Sequence, residues 1–172
     1  ERLDIRGEAT DVAAFVNQAR PISLPAAVTN ADWTHRNGGP THMVTHPALG
    51  ASLAPLFSNN IGAGDSRRLR ITADPIVTPS AVYTMDAQSQ VVATSTAGET
   101  LWARSVIPPT DNPRDASGGG LALAGPVLLA TTGFGEVVAL DAASGAEIWR
   151  QDLDAPGTSA PTIVGDLAYV VA

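Results

Sequence analysis

The chain has 172 residues, of which 44% are hydrophobic and 16% charged, and its formal net charge is −7. This hydrophobic content argues against disorder over the full length, and no stretch approaches the roughly 18 unbroken apolar residues of a membrane-spanning helix. Because the sequence has no cysteine, this chain cannot form a disulfide, a zinc–thiolate site or an iron–sulfur cluster. The chain has ten basic and seventeen acidic residues, and this excess of negative charge argues against nucleic acid as a partner.

The two ends of the chain are typical of a piece cut from a longer protein. The sequence begins with Glu1, and residues 167–172 have the apolar character of a strand interrupted midway. Residues 1–30 differ from the rest of the chain. The apolar stretch at residues 11–16 is too short to predict a helix, and residues 20–28 favour an extended strand between prolines. We therefore expect a processed or truncated chain that begins with an extended segment.

Three histidines lie close together in the next segment: His35, His42 and His46. The spacing of His42 and His46 would suit a metal ion bound on a helix. However, Pro40 and Pro47 bracket them and no helical pattern surrounds them. We therefore expect surface-loop histidines and no metal site.

Arg67, Arg68 and Arg70 form a basic cluster in an acidic chain. Such a cluster is commonly a solvated loop with a local ion pair. It could also dock an acidic partner or a lipid headgroup. Both interpretations stay open at this point.

An internal repeat is the strongest signal in the sequence. Two copies share a glycine, three intervening residues and a tryptophan, at Gly98 and Trp102 and again at Gly145 and Trp149, so the tryptophans lie 47 positions apart. A fainter copy ends at Phe57, which precedes Trp102 by 45 positions. A period of about 45 residues is typical of repeat architectures.

The clearest copy predicts four short strands, at residues 121–124, 127–131, 136–140 and 146–151, with Gly, Pro, Asp and Ser in the turns between them. The helical patterns that a parallel α/β fold requires are missing. Four antiparallel strands in each period indicate a β-propeller blade. The predicted fold is therefore all-β, a partial β-propeller of about three to four blades, with blades near residues 31–75, 76–120 and 121–160 and the start of another at 161–172.

The repeated residues are expected to be structural rather than catalytic. Gly98 and Gly145 sit where a tight hairpin requires a positive φ. The Asp141 side chain can bond the backbone two residues further on and fix its turn. Trp102 and Trp149, on the outermost strands, can cover the gap between neighbouring blades.

Residues 137–149 resemble the PQQ-type propeller repeat, whose core is Ala-x-Asp-x-x-x-Gly-x-x-x-Trp. The copy before it departs from this core, with Ser95 near the aspartate position and one residue fewer before Gly98, and the faintest copy keeps only Phe57. Residues 32–42, together with residues 56–57 and 61–64, are similar to the first blade of BamB-type proteins. These are the propeller lipoproteins of the outer-membrane β-barrel assembly machinery.

The resemblance implies an eight-bladed parent ring of about 360 residues, in which residues 1–30 are a candidate for the ring-closing strand. It implies a non-enzymatic periplasmic scaffold, without cofactor, metal or catalytic residue, that is tethered to the outer membrane of a Gram-negative bacterium by a lipid anchor upstream of Glu1. Its partners would be the insertase of the assembly machinery and unfolded outer-membrane protein clients. The membrane would be reached only through that anchor.

The main alternative is a fragment of a PQQ-dependent quinoprotein dehydrogenase, because these enzymes share the repeat. They resemble one another in holding PQQ and calcium at the ring centre, commonly over a vicinal disulfide that this chain cannot supply. No acid-rich loop with calcium-ligand spacing appears. A serine hydrolase would need a G-x-S-x-G elbow, which is missing, and the glycines at 62–64 and 118–120 open no helix for a dinucleotide. A propeller kinase or sensor ectodomain has no specific support in the sequence.

Overall fold

The computed structural model describes residue 19 and residues 21–172, and within them the chain is all-β with ten strands. The first sheet contains β1 (Ile76–Val77), β2 (Ala81–Met85), β3 (Gln90–Ser95) and β4 (Thr100–Ser105). The second sheet contains β5 (Gly119–Ala124), β6 (Val127–Thr132), β7 (Glu136–Asp141) and β8 (Glu147–Asp152). A hairpin follows, with β9 (Thr162–Val164) and β10 (Leu167–Tyr169). The described residues offer no helix with the length and apolar character to span a bilayer.

Both four-stranded sheets are antiparallel meanders in which each strand pairs with the next one in sequence. The innermost strands contact one another in the order β1, β5 and β9, so the sheets follow one another around a common side. The predicted all-β fold, a partial β-propeller, is confirmed. The four strands predicted within residues 121–151 each begin and end within two residues of β5 to β8.

The middle strands are buried on both faces because each sheet is covered by neighbours on two sides. On β7, Val138 and Leu140 face a core shared with the first sheet, where Val91 and Met85 also lie. The opposite face of the second sheet forms another core, in which Ile163 of the hairpin takes part. This double burial explains the unbroken apolar runs of the middle strands, in place of a strict apolar–polar alternation.

The blade predicted at residues 31–75 does not form a four-stranded sheet in the described residues. This segment instead makes isolated bridges, which join Val28 to Pro47, Trp33 to Val77 and His35 to Gly38. Leu69 of the segment is buried, whereas four of its apolar side chains are at least three-quarters exposed: Met43 75%, Leu49 76%, Leu53 76% and Leu56 90%. The segment is joined to the first sheet where Trp33 pairs with Val77 of β1, and the similarity to a first blade stays a prediction.

The ring-closing role predicted for residues 1–30 falls mostly outside the described residues. The described remainder, residues 21–30, is extended and exposed, and Val28 makes its bridge to Pro47 rather than to a strand of either sheet. A closing strand at this position stays a prediction.

Candidate functional site

The repeated tryptophan of the first sheet lies on the repeated glycine of the second. A Cβ atom placed on Gly145, whose φ is +70°, would come within 2.6 Å of the Trp102 ring. The indole Nε1 of Trp102 donates a hydrogen bond to the carbonyl oxygen of Ala142 at 3.0 Å, and its ring lies 5.9 Å from that of Tyr83. The spacing of the repeat therefore brings an outer strand onto the last turn of the next blade.

A second contact of this kind lies one step earlier in the chain. A Cβ on Gly98, whose φ is +89°, would come within 2.8 Å of Phe57. The amide of Asn59 donates hydrogen bonds to the hydroxyls of Thr94 and Thr100, at 3.1 and 3.0 Å. The segment before β1 thus contacts the first sheet in the same way as β4 contacts the second sheet, through an aromatic side chain on a turn glycine. We call these two pairs, Phe57 on Gly98 and Trp102 on Gly145, the aromatic–glycine contacts.

Trp149 and Asp141 complete the set of repeat residues. Trp149 is 44% exposed and lines a shallow cleft with Ile163 and Leu167 of the β9–β10 hairpin. The carboxylate of Asp141 accepts hydrogen bonds from the hydroxyl and the backbone N–H of Ser144, at 2.6 and 2.9 Å, and these bonds lower the pKa of Asp141. These bonds hold the turn at Ser144, three residues beyond Asp141, and a hydrogen bond from the backbone N–H of Ala143, two residues beyond it, also lowers the pKa of the carboxyl group.

The structure divides the arginine cluster and adds a member to it. Arg70 forms an ion pair with Asp65 at 3.6 Å. Arg67 and Arg68 are exposed and line a cleft of about 510 Å³ together with Arg114. We call this the arginine cleft; its remaining lining residues are Ser66, Leu69 and Gln88.

Three separate segments meet at the arginine cleft because the strands alternate in direction. One end of the first sheet contains the start of β1, the turn between β2 and β3, and the end of β4. Arg67 and Arg68 occupy the tip of a turn in which the N–H of Leu69 donates to the hydroxyl of Ser66 at 3.1 Å, and Leu69 is buried. Sequence analysis missed Arg114 because it lies in another loop, and no local pattern signals this proximity.

The histidine segment crosses the inner strands. Trp33 exchanges backbone hydrogen bonds with Val77, and the carbonyl of Thr34 accepts one from the N–H of Leu123. The Nε2 atom of His35 accepts a hydrogen bond from the N–H of Ile163 at 3.0 Å. Residues 33–35 therefore contact β1, β5 and β9 in turn and connect all three sheets.

His35 corrects the prediction of surface histidines, since only 2% of its surface is exposed. Burial, and then the charge of His42, whose ring lies 6.3 Å away, lower the pKa of His35. His42 itself is exposed, and its ring nitrogens lie 2.8 Å from the Arg36 carbonyl and 2.8 Å from the Thr162 hydroxyl. His35 and His42 therefore fix the segment to the β9–β10 hairpin.

We expect the stability of the protein to fall as the pH drops below about 6.5, the ordinary pKa of histidine. Because the pKa of His35 is lower in the folded state than in the unfolded state, the unfolded state binds a proton at this residue more readily. Acid therefore favours unfolding. Urea unfolding at several pH values should show a shallower pH dependence for His35→Gln than for the unchanged protein. His46→Gln controls for the removal of a histidine from the same segment; a slope for His35→Gln equal to that of the unchanged protein would contradict the effect.

The described residues do not fit a quinone held by calcium. Within them, no group of three or more His, Asp or Glu side chains is arranged to hold a metal ion. Asp86, in the turn between β2 and β3, is buried, and it already accepts hydrogen bonds from the backbone N–H groups of Ala63, Gln88 and Gln90 at 2.7 to 2.8 Å. No catalytic step through such a group follows from these residues.

Two successive four-stranded blades, joined by an aromatic residue on a turn glycine, define a β-propeller of the PQQ-like repeat class. The chain belongs to the family described as "Outer membrane protein assembly factor BamB", whose profile matches residues 87–172. No protein of curated function matches the chain by sequence.

Solved structures share the fold. The quinohemoprotein alcohol dehydrogenase from Comamonas testosteroni aligns with a TM-score of 0.66 at 22% identity, over 83% of this chain and 23% of its own. A europium-containing methanol dehydrogenase aligns with a TM-score of 0.61 at 21% identity, over 81% and 27%. BamB from Moraxella catarrhalis aligns at 0.40 and 19% identity, over 51% and 24%. The matched part of this chain spans about a quarter of the length of each of these three structures.

Proposed function

We propose that this chain is part of a non-enzymatic β-propeller scaffold of the outer-membrane β-barrel assembly machinery. It would act in the periplasm, tethered to the outer membrane through an upstream lipid anchor, dock to the insertase and assist the insertion of outer-membrane proteins. The observation that carries the proposal is the match of residues 87–172 to the BamB family.

The links between blades support a scaffold, which must hold its loops at fixed positions. Besides the aromatic–glycine contacts, Arg150 on β8 connects the two sheets. It donates to the carbonyl of Val106 in the first blade at 3.1 Å and forms an ion pair with Glu136 in its own blade. Its hydrogen bonds to Glu147 lower the pKa of that carboxyl group. A partner would therefore meet a preformed surface.

The outer strands give a place where clients could pair. Strands β4 and β8 each have only one neighbouring strand within the described part of the chain, and Leu101 and Ile148 on them are 53% and 52% exposed. An unfolded strand can add to such an edge through backbone hydrogen bonds. Arg104 and Glu147, 4.0 Å apart, place charges at these edges, which disfavours permanent association.

Purification from native membranes tests the proposal. The tagged full protein, extracted from the outer membrane with mild detergent, should retain the insertase in amounts comparable to its own. A quinoprotein dehydrogenase would instead show quinone absorbance and dye-linked alcohol or sugar oxidation that PQQ and calcium restore after chelation. That second result, without the insertase, would overturn the scaffold function.

A further inference from the structure

We propose that the arginine cleft binds an acidic polypeptide segment of the partner protein, with its carboxylates on Arg67, Arg68 and Arg114. The inference rests on the proposed scaffold function and adds the chemistry of docking. Three guanidinium groups line one cleft although the whole chain carries a net charge of −7. A local positive surface of this kind attracts a short acidic segment, while the surrounding negative charge opposes an extended anionic surface such as a membrane.

Within the described part of the chain, the arginines that line the cleft have no acidic partner. Arg70, two residues from the turn tip, is neutralised by Asp65. By contrast, no ion pair within the described residues involves Arg67, Arg68 or Arg114. Since a guanidinium presents a planar fork of N–H donors that matches a carboxylate, each of these side chains can take one acidic residue of a ligand.

The donors that remain free favour carboxylates over a compact phosphate. Phosphate sites commonly use several backbone N–H groups that point at one anion. Here the N–H of Leu69 donates to Ser66 at 3.1 Å, and that of Arg114 donates to the side chain of Asn112 at 3.0 Å. The side-chain donors of the cleft are the three guanidiniums and the amide of Gln88, which can hydrogen-bond to a backbone carbonyl of an extended ligand.

Calorimetric titration at low ionic strength tests the proposal with two 12-residue peptides, one alternating Glu and Ser and the other Gln and Ser. The full chain should bind the Glu peptide and not the Gln peptide. The double variant Arg67→Glu, Arg68→Glu should bind at least about tenfold more weakly, because two attractive pairs become repulsive. Arg114→Glu should also weaken binding. Arg70→Ala is the matched control, since its charge is already paired, and should stay within about twofold of the unchanged chain.

Several results would overturn the proposal: equal affinity for both peptides, an equal loss in Arg70→Ala, or arginine-dependent binding of inorganic phosphate or phosphatidylglycerol vesicles but not of the Glu peptide. The scaffold function is tested separately. If the insertase co-purifies equally well with the Arg67→Glu, Arg68→Glu variant, the assignment of the cleft is wrong and the scaffold function stands. If the Glu peptide binds through the arginines but no insertase co-purifies, the cleft stands and the scaffold function is wrong.

Discussion

Replacement of Gly145 by alanine is expected to lower the free energy of unfolding by about 3 kcal/mol, since it combines a strained backbone with an overpacked contact. The residue has a φ of +70°, and the added Cβ would come within 2.6 Å of the Trp102 ring. The ring cannot move away freely, because its Nε1 is bonded to the Ala142 carbonyl. Urea unfolding with linear extrapolation measures the loss.

Gly165, in the β9–β10 turn, provides the matched control. Its φ is +58°, but a Cβ there would meet no atom within 4 Å. Gly165→Ala should therefore cost only the backbone strain, about 1 kcal/mol. In a Trp102→Ala background, the loss of unfolding free energy caused by Gly145→Ala should fall to the value expected for Gly165→Ala. Equal losses for the two glycines in the unchanged protein would show that the aromatic–glycine contact adds nothing to stability.

Arg150→Ala is expected to cost about 3 kcal/mol, because it leaves Glu136 as a largely buried carboxylate without its cation. The two side chains are 21% and 15% exposed. The substitution also removes the hydrogen bond to the Val106 carbonyl of the first blade, so we expect the contact between blades to weaken with the loss of the pair. Chemical unfolding followed by tryptophan fluorescence measures the effect.

Arg36 gives an exposed pair for comparison, with its Nε 3.2 Å from Asp74 and side-chain exposures of 61% and 46%. Arg36→Ala should cost less than about 1 kcal/mol. The combination Arg150→Met, Glu136→Leu should recover much of the loss, since it removes both charges together. An Arg150→Ala loss as small as that of Arg36→Ala would contradict a structural role for the Arg150 pair.

The sequence was sufficient to predict the strands of the second sheet because their signals are local. Turn glycines, β-branched runs and the tryptophan spacing all fall within one period of about 45 residues, as repeat architectures require. The strands of the second sheet could therefore be placed to within two residues. Gly145 has its positive φ because the hairpin between β7 and β8 requires it, which a sequence pattern can anticipate.

Features that depend on distant contacts could not be predicted. His35 was expected at the surface, yet its acceptor nitrogen bonds Ile163, 128 positions away in the sequence. Arg114 joins the arginine cleft only because antiparallel pairing brings three connections to one end of a sheet. Residues 31–75 were expected to form a blade. Instead, Trp33 of this segment pairs with Val77 at the free edge of β1. None of these partners is encoded by local propensity or periodicity.

Side-chain contacts join the two blades, and a basic cleft lies at one end of the first sheet. The family match supports the proposed assembly role, and the fold is shared with the structures of a methanol dehydrogenase and an alcohol dehydrogenase.

The most direct measurement is the level of folded outer-membrane β-barrels in cells that lack the protein, read from their heat-modifiable migration on gels. The scaffold function predicts a clear loss of folded barrels, which the unchanged gene restores without added PQQ or calcium. Unchanged barrel levels, together with loss of a dye-linked alcohol or sugar oxidation, would contradict the scaffold function and identify a dehydrogenase.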